Sequence, residues 1–283
     1  MKQIESIDDI RAAVRALRSE NKTIAFVPTM GALHQGHISL IRKAHKHADA
    51  VVVSIYVNPE QFGPNEDFDS YPRRLQADLN VCEKEKVDLV FTPDDAVMYS
   101  SSVNYFSIEI EELGDHMDGA SRPGFFEGIV LVVNKLFNII KPDIAVFGQK
   151  DIQQFQILSR MVKEFNHSVE LVMAPIARAN DGLALSSRNA YLSEEERTIA
   201  PALYRALRYV EKQILDGVDK PELLLSHQKD ELEAKGFQND YLNVYSLDRL
   251  APVSQLKEGN RYILAGAAYL GKTRLIDNII IDF

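Results

Sequence analysis

The sequence holds one cysteine, Cys82, in 283 residues. No intramolecular disulfide can form, and no cysteine cluster can bind a metal. Long apolar runs are missing too. No stretch of about 18 uncharged apolar residues occurs, so no membrane span is expected. The opening residues, MKQIESIDDIRAAVRALRSENK, set no apolar run behind a basic tip, so no secretory signal is expected. Basic charge is not in excess either. Asp and Glu number 41 against 32 Lys and Arg, a net charge of -9. That balance argues against a broad nucleic-acid surface, though it leaves room for a local basic pocket. Repeats and low-complexity tracts are absent. What is present is an ordinary globular composition, 46% hydrophobic and 26% charged, which excludes a disordered or fibrous chain. The expectation is a soluble cytoplasmic protein of one large domain or two ordinary ones.

The first half alternates short apolar runs with helical patterns. Residues 23–27 read as a buried strand stopped by Pro28, and 50–57, 88–92, 143–147 and 169–173 read as further strands. Helical patterns cover 37–47, 73–86, 127–140 and 152–165. Strands alternating with helices predict an α/β fold: a Rossmann-like parallel sheet with helices on both faces. Ligands of such sheets sit beyond the carboxyl ends of the strands. The second part has a different character. Ser193 and Glu196 form a capping box before one long amphipathic helix carrying Ile199, Leu203, Ala206, Val210 and Ile214. A helix at 221–234, closed by Gly236, and strands at 241–245, 261–265 and 277–281 follow. The expected division is a larger domain, 1–175, and a smaller α+β domain, 176–283.

Chemistry-bearing residues gather at the predicted strand ends. Met30, Gly31, Ala32, Leu33, His34, Gln35, Gly36 and His37 follow the first strand and open a helix. A helix start attracts phosphate through its free amides and dipole, and Gly31 and Gly36 allow close backbone approach. The imidazoles of the H-x-G-H pattern add donors. With this chain's His and Gly content, chance gives roughly 0.01 such matches per chain. A plain capped helix with solvent-facing histidines is the alternative. A metal site is weaker, with no third ligand nearby. Gly148, Gln149, Lys150 and Asp151 stand at a later strand end, where Lys150 offers a mobile cation. Asp151 also suits a simple cap. Gln154 lies one turn on. The loop after Asp181 and Gly182 carries Leu185, Ser186, Ser187 and Arg188, suited to phosphate oxygens or to an ordinary polar loop. Asn58 and Gln61 follow the second strand, in a segment equally readable as a turn. The stretch from Arg122 to Gly128 reads as a rigid substrate-side loop or a helix start.

Taken together, VPTMGALHQGH, VNPEQFG, RPGFFEG, FGQKDIQQ and DGLALSSRN, in this order, resemble the pantoate–β-alanine ligase (pantothenate synthetase) family of the H-x-G-H nucleotidylyl-transferase superfamily. The resemblance covers the whole chain. It implies an ATP- and Mg²⁺-dependent condensation of pantoate with β-alanine through a pantoyl adenylate, releasing AMP and pyrophosphate. It implies ATP contacts at residues 30–37, at Asn58, at residues 148–151, at Ala177 through backbone atoms, and at residues 185–188. His37, His34 and Lys150 become the catalytic set, His37 in the position of a proton donor. The chemistry itself favours an electrostatic role there, because a carboxylate nucleophile needs no general base. Gln61 and Gln154 correspond to pantoate-binding glutamines, with Gln61 also on the β-alanine side. Asp78 corresponds to a helper for Mg²⁺, most ligands being phosphate oxygens and water. A homodimer is implied, with no nucleic-acid or membrane partner.

Four local departures stand out: Phe125 in place of a frequent His, Gln149 in place of a frequent Glu, no acidic residue among residues 177–180, and a bulky turn at 128–131. None removes a residue assigned to phosphate or pantoate. Two rival readings are another adenylate-forming enzyme of the superfamily and a nucleotide-binding regulatory module without turnover.

Overall fold

The computed structural model describes residues 1–64, 66–99 and 106–283. In chain order the elements are β1 (Lys2–Ile4), α1 (Ile7–Ser19), β2 (Ile24–Thr29), α2 (Gln35–Ala44), β3 (Ala50–Ile55), α3 (Leu75–Lys84), β4 (Leu89–Phe91), α4 (Asp95–Met98), α5 (Met117–Ser121), α6 (Phe125–Ile140), β5 (Ile144–Gly148), α7 (Ile152–Glu164) and β6 (Glu170–Ala174). There follow α8 (Glu194–Ile199), α9 (Ala202–Leu215), α10 (Glu222–Glu233), β7 (Phe237–Ser246), β8 (Arg261–Leu270) and β9 (Thr273–Asp282). The chain forms two compact units. One comprises Met1–Ile110, Pro123–Gly148 and Ile157–Pro175. The other comprises Glu111–Arg122, Gln149–Gln156 and Ile176–Phe283, so beside the stretch after 175 it takes in two short earlier segments, the Lys150 turn among them.

The first unit is built on a six-stranded parallel sheet of order β1-β4-β3-β2-β5-β6. Alternation along β2 sets its two faces. Ala25 and Val27 pack with Ile41 and Ala44 of α2 and with Leu79 and Cys82 of α3. Phe26 points the other way, its ring 6.4 Å from that of Phe137 on α6. Helices therefore cover both faces, as the nearly unbroken apolar strands require. The chain runs outward from β2 through β3 and β4 on one side and continues through β5 and β6 on the other. The order reverses between β2 and β5, and ligands of such sheets bind at that crevice.

β2 continues two residues past the expected stop. Pro28 pairs in register with Ser54 of β3. Thr23, just before β2, and Thr29 bond towards β3, whereas Ile24 bonds towards β5, so odd-numbered positions face β3 and even-numbered ones β5. The missing N–H of Pro28 thus faces the β5 side, where pairing ends at Phe26, and no ladder bond is lost. Nor is any element expected before residue 23. There β1 pairs with β4, and α1 is opened by Ser6, whose hydroxyl accepts from the Asp9 amide.

The second unit is an antiparallel sheet, β7-β8-β9. Leu203, Leu207, Val210 and Ile214 of α9 join Leu242, Val244, Leu264 and Ala268 of the sheet in one core. The capping box forms as expected, Ser193 with Glu196. The single long helix does not. It breaks into α8 and α9 at Pro201, whose ring and missing N–H forbid the bond to the carbonyl four residues earlier. Among the described residues, no helix is long and apolar enough to cross a membrane.

Candidate active site

In the first unit, the loop leaving β2 is pinned before it reaches α2. Thr29 donates to the Ser54 carbonyl at 2.8 Å and accepts from the Gly31 amide at 3.2 Å. Gly31 and Ala32 are both left-handed, at φ +82° and +51°. The strain at Ala32 is held by Asp78 of α3. This carboxylate is 3% exposed and accepts from the Ala32 amide at 2.9 Å and the Leu33 amide at 2.7 Å. It also fixes the identity of residue 31, because a Cβ there would lie 2.9 Å from Asp78 Oδ2.

The two histidines then cap α2 in reciprocal fashion. His34 Nδ1 accepts from the Gly36 amide at 3.0 Å, and His37 Nδ1 accepts from the His34 amide at 3.3 Å. Their rings lie 4.3 Å apart. A nitrogen that accepts an amide hydrogen carries none of its own, so each ring bears its hydrogen on Nε2. Gly36 is required here, since a Cβ would come within 2.6 Å of the His34 ring. The first turn of α2 holds no acidic residue, so no side-chain carboxylate in that turn offsets the positive end of the helix dipole.

Asn58 and Gln61 meet in the same unit. Asn58 opens the 3-10 turn Pro59–Gln61 and is 1% exposed. Its amide donates to the Gly128 carbonyl at 3.1 Å and to Gln61 Oε1 at 3.2 Å, and its Oδ1 accepts from the Tyr99 hydroxyl at 2.7 Å. Gln61 Nε2 donates to the Met30 sulfur at 2.9 Å. Gly128 has no room for a side chain, since a Cβ would fall 1.9 Å from the Glu60 carbonyl oxygen. The segment before it is a helix start, with Gly124 left-handed at the cap of α6.

In the second unit, Gln149–Asp151 forms a single 3-10 turn leading into α7. Asn278 of β9 is 2% exposed, and its amide donates to the carbonyls of Gln149 at 2.9 Å and Lys150 at 3.0 Å. The Gln149 side chain returns a bond to Asn278 Oδ1 at 3.3 Å. Lys150 Nζ lies 3.4 Å from Asp151. The preceding residue of the same strand reaches the other expected loop. Asp277 holds Arg178 in a two-pronged bridge at 2.6 and 2.8 Å, with the guanidinium 3.7 Å over the Tyr204 ring. Burial pushes the Asp277 carboxyl above its usual range, with Arg178 pulling the other way. Arg178 bridges to Ala184, and the Leu185 amide donates to the Ala177 carbonyl at 2.9 Å. Ser186 caps the turn Ser187–Tyr191 through the Arg188 amide. Gln154 lies half-buried in the first turn of α7.

The family model described as Pantoate-beta-alanine ligase matches residues 2–280. The chain belongs to the pantoate–β-alanine ligase family. It is 47% identical to the pantothenate synthetase of Alcanivorax borkumensis over 279 residues, covering 99% of this chain and 97% of that one. It is 45% identical to that of Bacillus subtilis, covering 100% and 98%. A pantothenate synthetase structure from Thermus thermophilus superimposes with a TM-score of 0.90 at 40% identity, covering 99% of each chain. The Francisella tularensis ligase, solved with beta-gamma ATP and β-alanine, gives 0.80 at 36% identity, covering 99% of this chain and 97% of that one.

Beside the ligase motifs, the structure adds residues that the sequence patterns do not single out: Tyr99 behind Asn58, Asp277 behind Arg178 and Asn278 behind the Gln149–Asp151 turn. A signal for the last two exists in the sequence. Two adjacent polar residues interrupt the apolar strand at 275–281, and a buried polar pair demands partners. Asp78 has a task its assignment did not include, since both its oxygens bind loop amides. Among the described residues no group of three or more His, Cys, Asp or Glu could hold a metal ion.

Proposed function

We propose that this chain condenses pantoate with β-alanine at the expense of ATP, in two steps. A pantoate carboxylate oxygen attacks the α-phosphorus, the bond to the bridging oxygen breaks, and pyrophosphate leaves. The β-alanine nitrogen then attacks the acyl carbon of the pantoyl adenylate, AMP departs as the acyl–oxygen bond breaks, and the amine releases its proton. The observation that carries this reading is the start of α2, with two Nε2–H donors beside helix amides. Such donors are pre-set for charge that grows on phosphate oxygens, and each is worth roughly 10²–10³ in rate. His37 and His34 act here by donated hydrogen bonds. Met30, Gly31, Ala32, Leu33, Gln35 and Gly36 supply the backbone of the ATP loop.

In the first unit, Gln61 orients pantoate and the incoming β-alanine, and Asn58, buried and fully engaged, holds Gln61 in place. Gly148 ends β5 in the first unit, and Gln149, Lys150 and Asp151 follow it in the second. There Lys150 supplies a cation for phosphate. Leu185, Ser186, Ser187 and Arg188 cover phosphate oxygens, Ala177 meets adenine with backbone atoms, and Gln154 binds pantoate. Magnesium is carried by the phosphate oxygens and water. Asp78 is assigned to the loop amides that its two oxygens accept, and a role towards the metal is the alternative that excess Mg²⁺ would reveal. A cytoplasmic homodimer completes the reading.

The test is AMP formation from ATP and pantoate, with and without β-alanine, alongside exchange of labelled pyrophosphate into ATP. Exchange with pantoate alone, and full turnover only with both substrates, is the expected result. Folded protein that binds ATP but shows neither would overturn it.

A further inference from the structure

We infer that Asn278 is a positioning residue for Lys150, and that with Asp277 it makes β9 the support for both nucleotide segments of the second unit. The inference rests on the phosphate role of Lys150 proposed above. The turn Gln149–Asp151 is a single short turn, and the carbonyls of Gln149 and Lys150 both face Asn278. One amide group, 2% exposed, donates to both. Its own oxygen accepts from the Gln149 side chain, and its backbone amide donates to Asp277 Oδ1 at 2.8 Å. The Asn278 side chain therefore has one compatible orientation, with the nitrogen towards the turn. Because the carbonyls belong to Lys150 itself and to its neighbour, the bonds set the Cα position from which the ammonium reaches.

Asp277 serves the other segment in the same way. Its bridge to Arg178 lies at the base of the turn around Gly182, whose carbonyl Arg178 also binds at 3.0 Å. Gly182 is at φ +95°, with Tyr204 too close for a Cβ. From that base the chain runs to Ser186 and Arg188. Neighbouring residues of a strand normally serve opposite faces. Here both are polar and buried, and each is matched to a different loop. An apolar pair would remove these bonds from the Gln149 and Lys150 carbonyls.

The experiment compares Asn278→Ala, Lys150→Ala and the double variant in pantoate-dependent pyrophosphate exchange, with thermal unfolding as a check on folding. Asn278→Asp keeps the side-chain volume but turns an oxygen towards the carbonyls, and serves wherever the alanine variant does not fold. Misplacing a reactive group by about 1 Å costs up to 10²-fold. The expected result is a fall in kcat of about 10- to 100-fold for Asn278→Ala and Asn278→Asp, with the KM for pantoate within about 3-fold of wild type. In the Lys150→Ala background the same change should have almost no further effect. Wild-type exchange in Lys150→Ala would remove the phosphate role and this inference with it. A slow Lys150→Ala beside a wild-type Asn278 variant would overturn the inference alone. So would an Asn278 loss that multiplies undiminished in the Lys150→Ala background, because it would then be a general effect on the fold.

Discussion

At the start of α2 the bonds that shape the histidine pair run between residues two and three positions apart. At the Lys150 turn they come from a residue 128 positions later in the chain. Both segments open helices, and both carry residues assigned to phosphate. The first is largely self-organised, because a helix start can be capped by its own side chains. The second is a single short turn whose carbonyls are also held by a strand of the second sheet. A motif of the first kind keeps its geometry in a short stretch of sequence. A motif of the second kind is complete only in the folded unit, and mutations that damage it need not lie near it.

The largest break in that comparison should come from His37→Ala. The α-phosphate step loses a donor aimed at developing charge, so pantoate-dependent exchange should fall by roughly 10²–10³. Stability should fall only by about 1 kcal/mol, the worth of a cap. Pyrophosphate exchange and thermal unfolding measured together separate the two effects. An exchange rate near wild type would remove His37 from the chemistry.

How much the sequence discloses follows the same division. The strands of the parallel sheet are legible because burial on both faces makes them continuous apolar runs. The capping box at Ser193 and the start of α2 are legible because their partners sit within four residues. The break at Pro201 was within reach as well, but the apolar spacing of Ile199, Leu203 and Val210 runs through it and outweighed the proline. α1 carries such a stripe too, Ile7, Ile10, Val14 and Leu17 behind the Ser6 cap, so it was within reach of the sequence and was passed over. The pinning of Ala32 by Asp78 and of Lys150 by Asn278 required pairings across 46 and 128 positions. No local pattern encodes those.

Asp78 sharpens the contrast, because it is the long-range element of the otherwise local segment. In Asp78→Asn one of the two loop amides faces an NH₂ group, leaving a buried donor unsatisfied at a cost of about 1–3 kcal/mol. The left-handed pair at residues 31 and 32 then loses a hold, and exchange should fall on the order of 10-fold. Raising Mg²⁺ well above saturation decides between two roles. A loop residue is not rescued by excess metal, whereas a metal ligand is. Substantial rescue would return Asp78 to the metal.

A narrower loss is expected from Gln61→Ala, whose glutamine is fixed by Asn58 and Met30 inside the first unit. The KM for pantoate should rise about 10-fold, equivalent to roughly 1.4 kcal/mol of binding, while the KM for ATP changes less than about 3-fold. Steady-state kinetics with each substrate varied in turn gives both numbers. Equal losses would show that Gln61 shapes the loop as a whole instead of contacting pantoate.

The smallest effect on activity also tests whether the two segments can be damaged separately. Cys82 lies one turn after Asp78 on α3 and is fully buried. Burial, with the Asp78 charge behind it, pushes its thiol up to about 12. At a pH of about 8 almost none of it is thiolate, the reactive form. The folded protein should therefore resist a thiol reagent such as dithionitrobenzoate, and denaturant should release one rapidly reacting thiol as the group returns to about 8.5. This single thiol reports opening of the first unit alone. Asn278→Asp disturbs the second unit, so it should leave the labelling rate of Cys82 at its wild-type value even as exchange falls. A labelling rate that climbs towards that of the unfolded chain would mean that the substitution unfolds both units together. The loss of exchange would then say nothing about how Lys150 is placed.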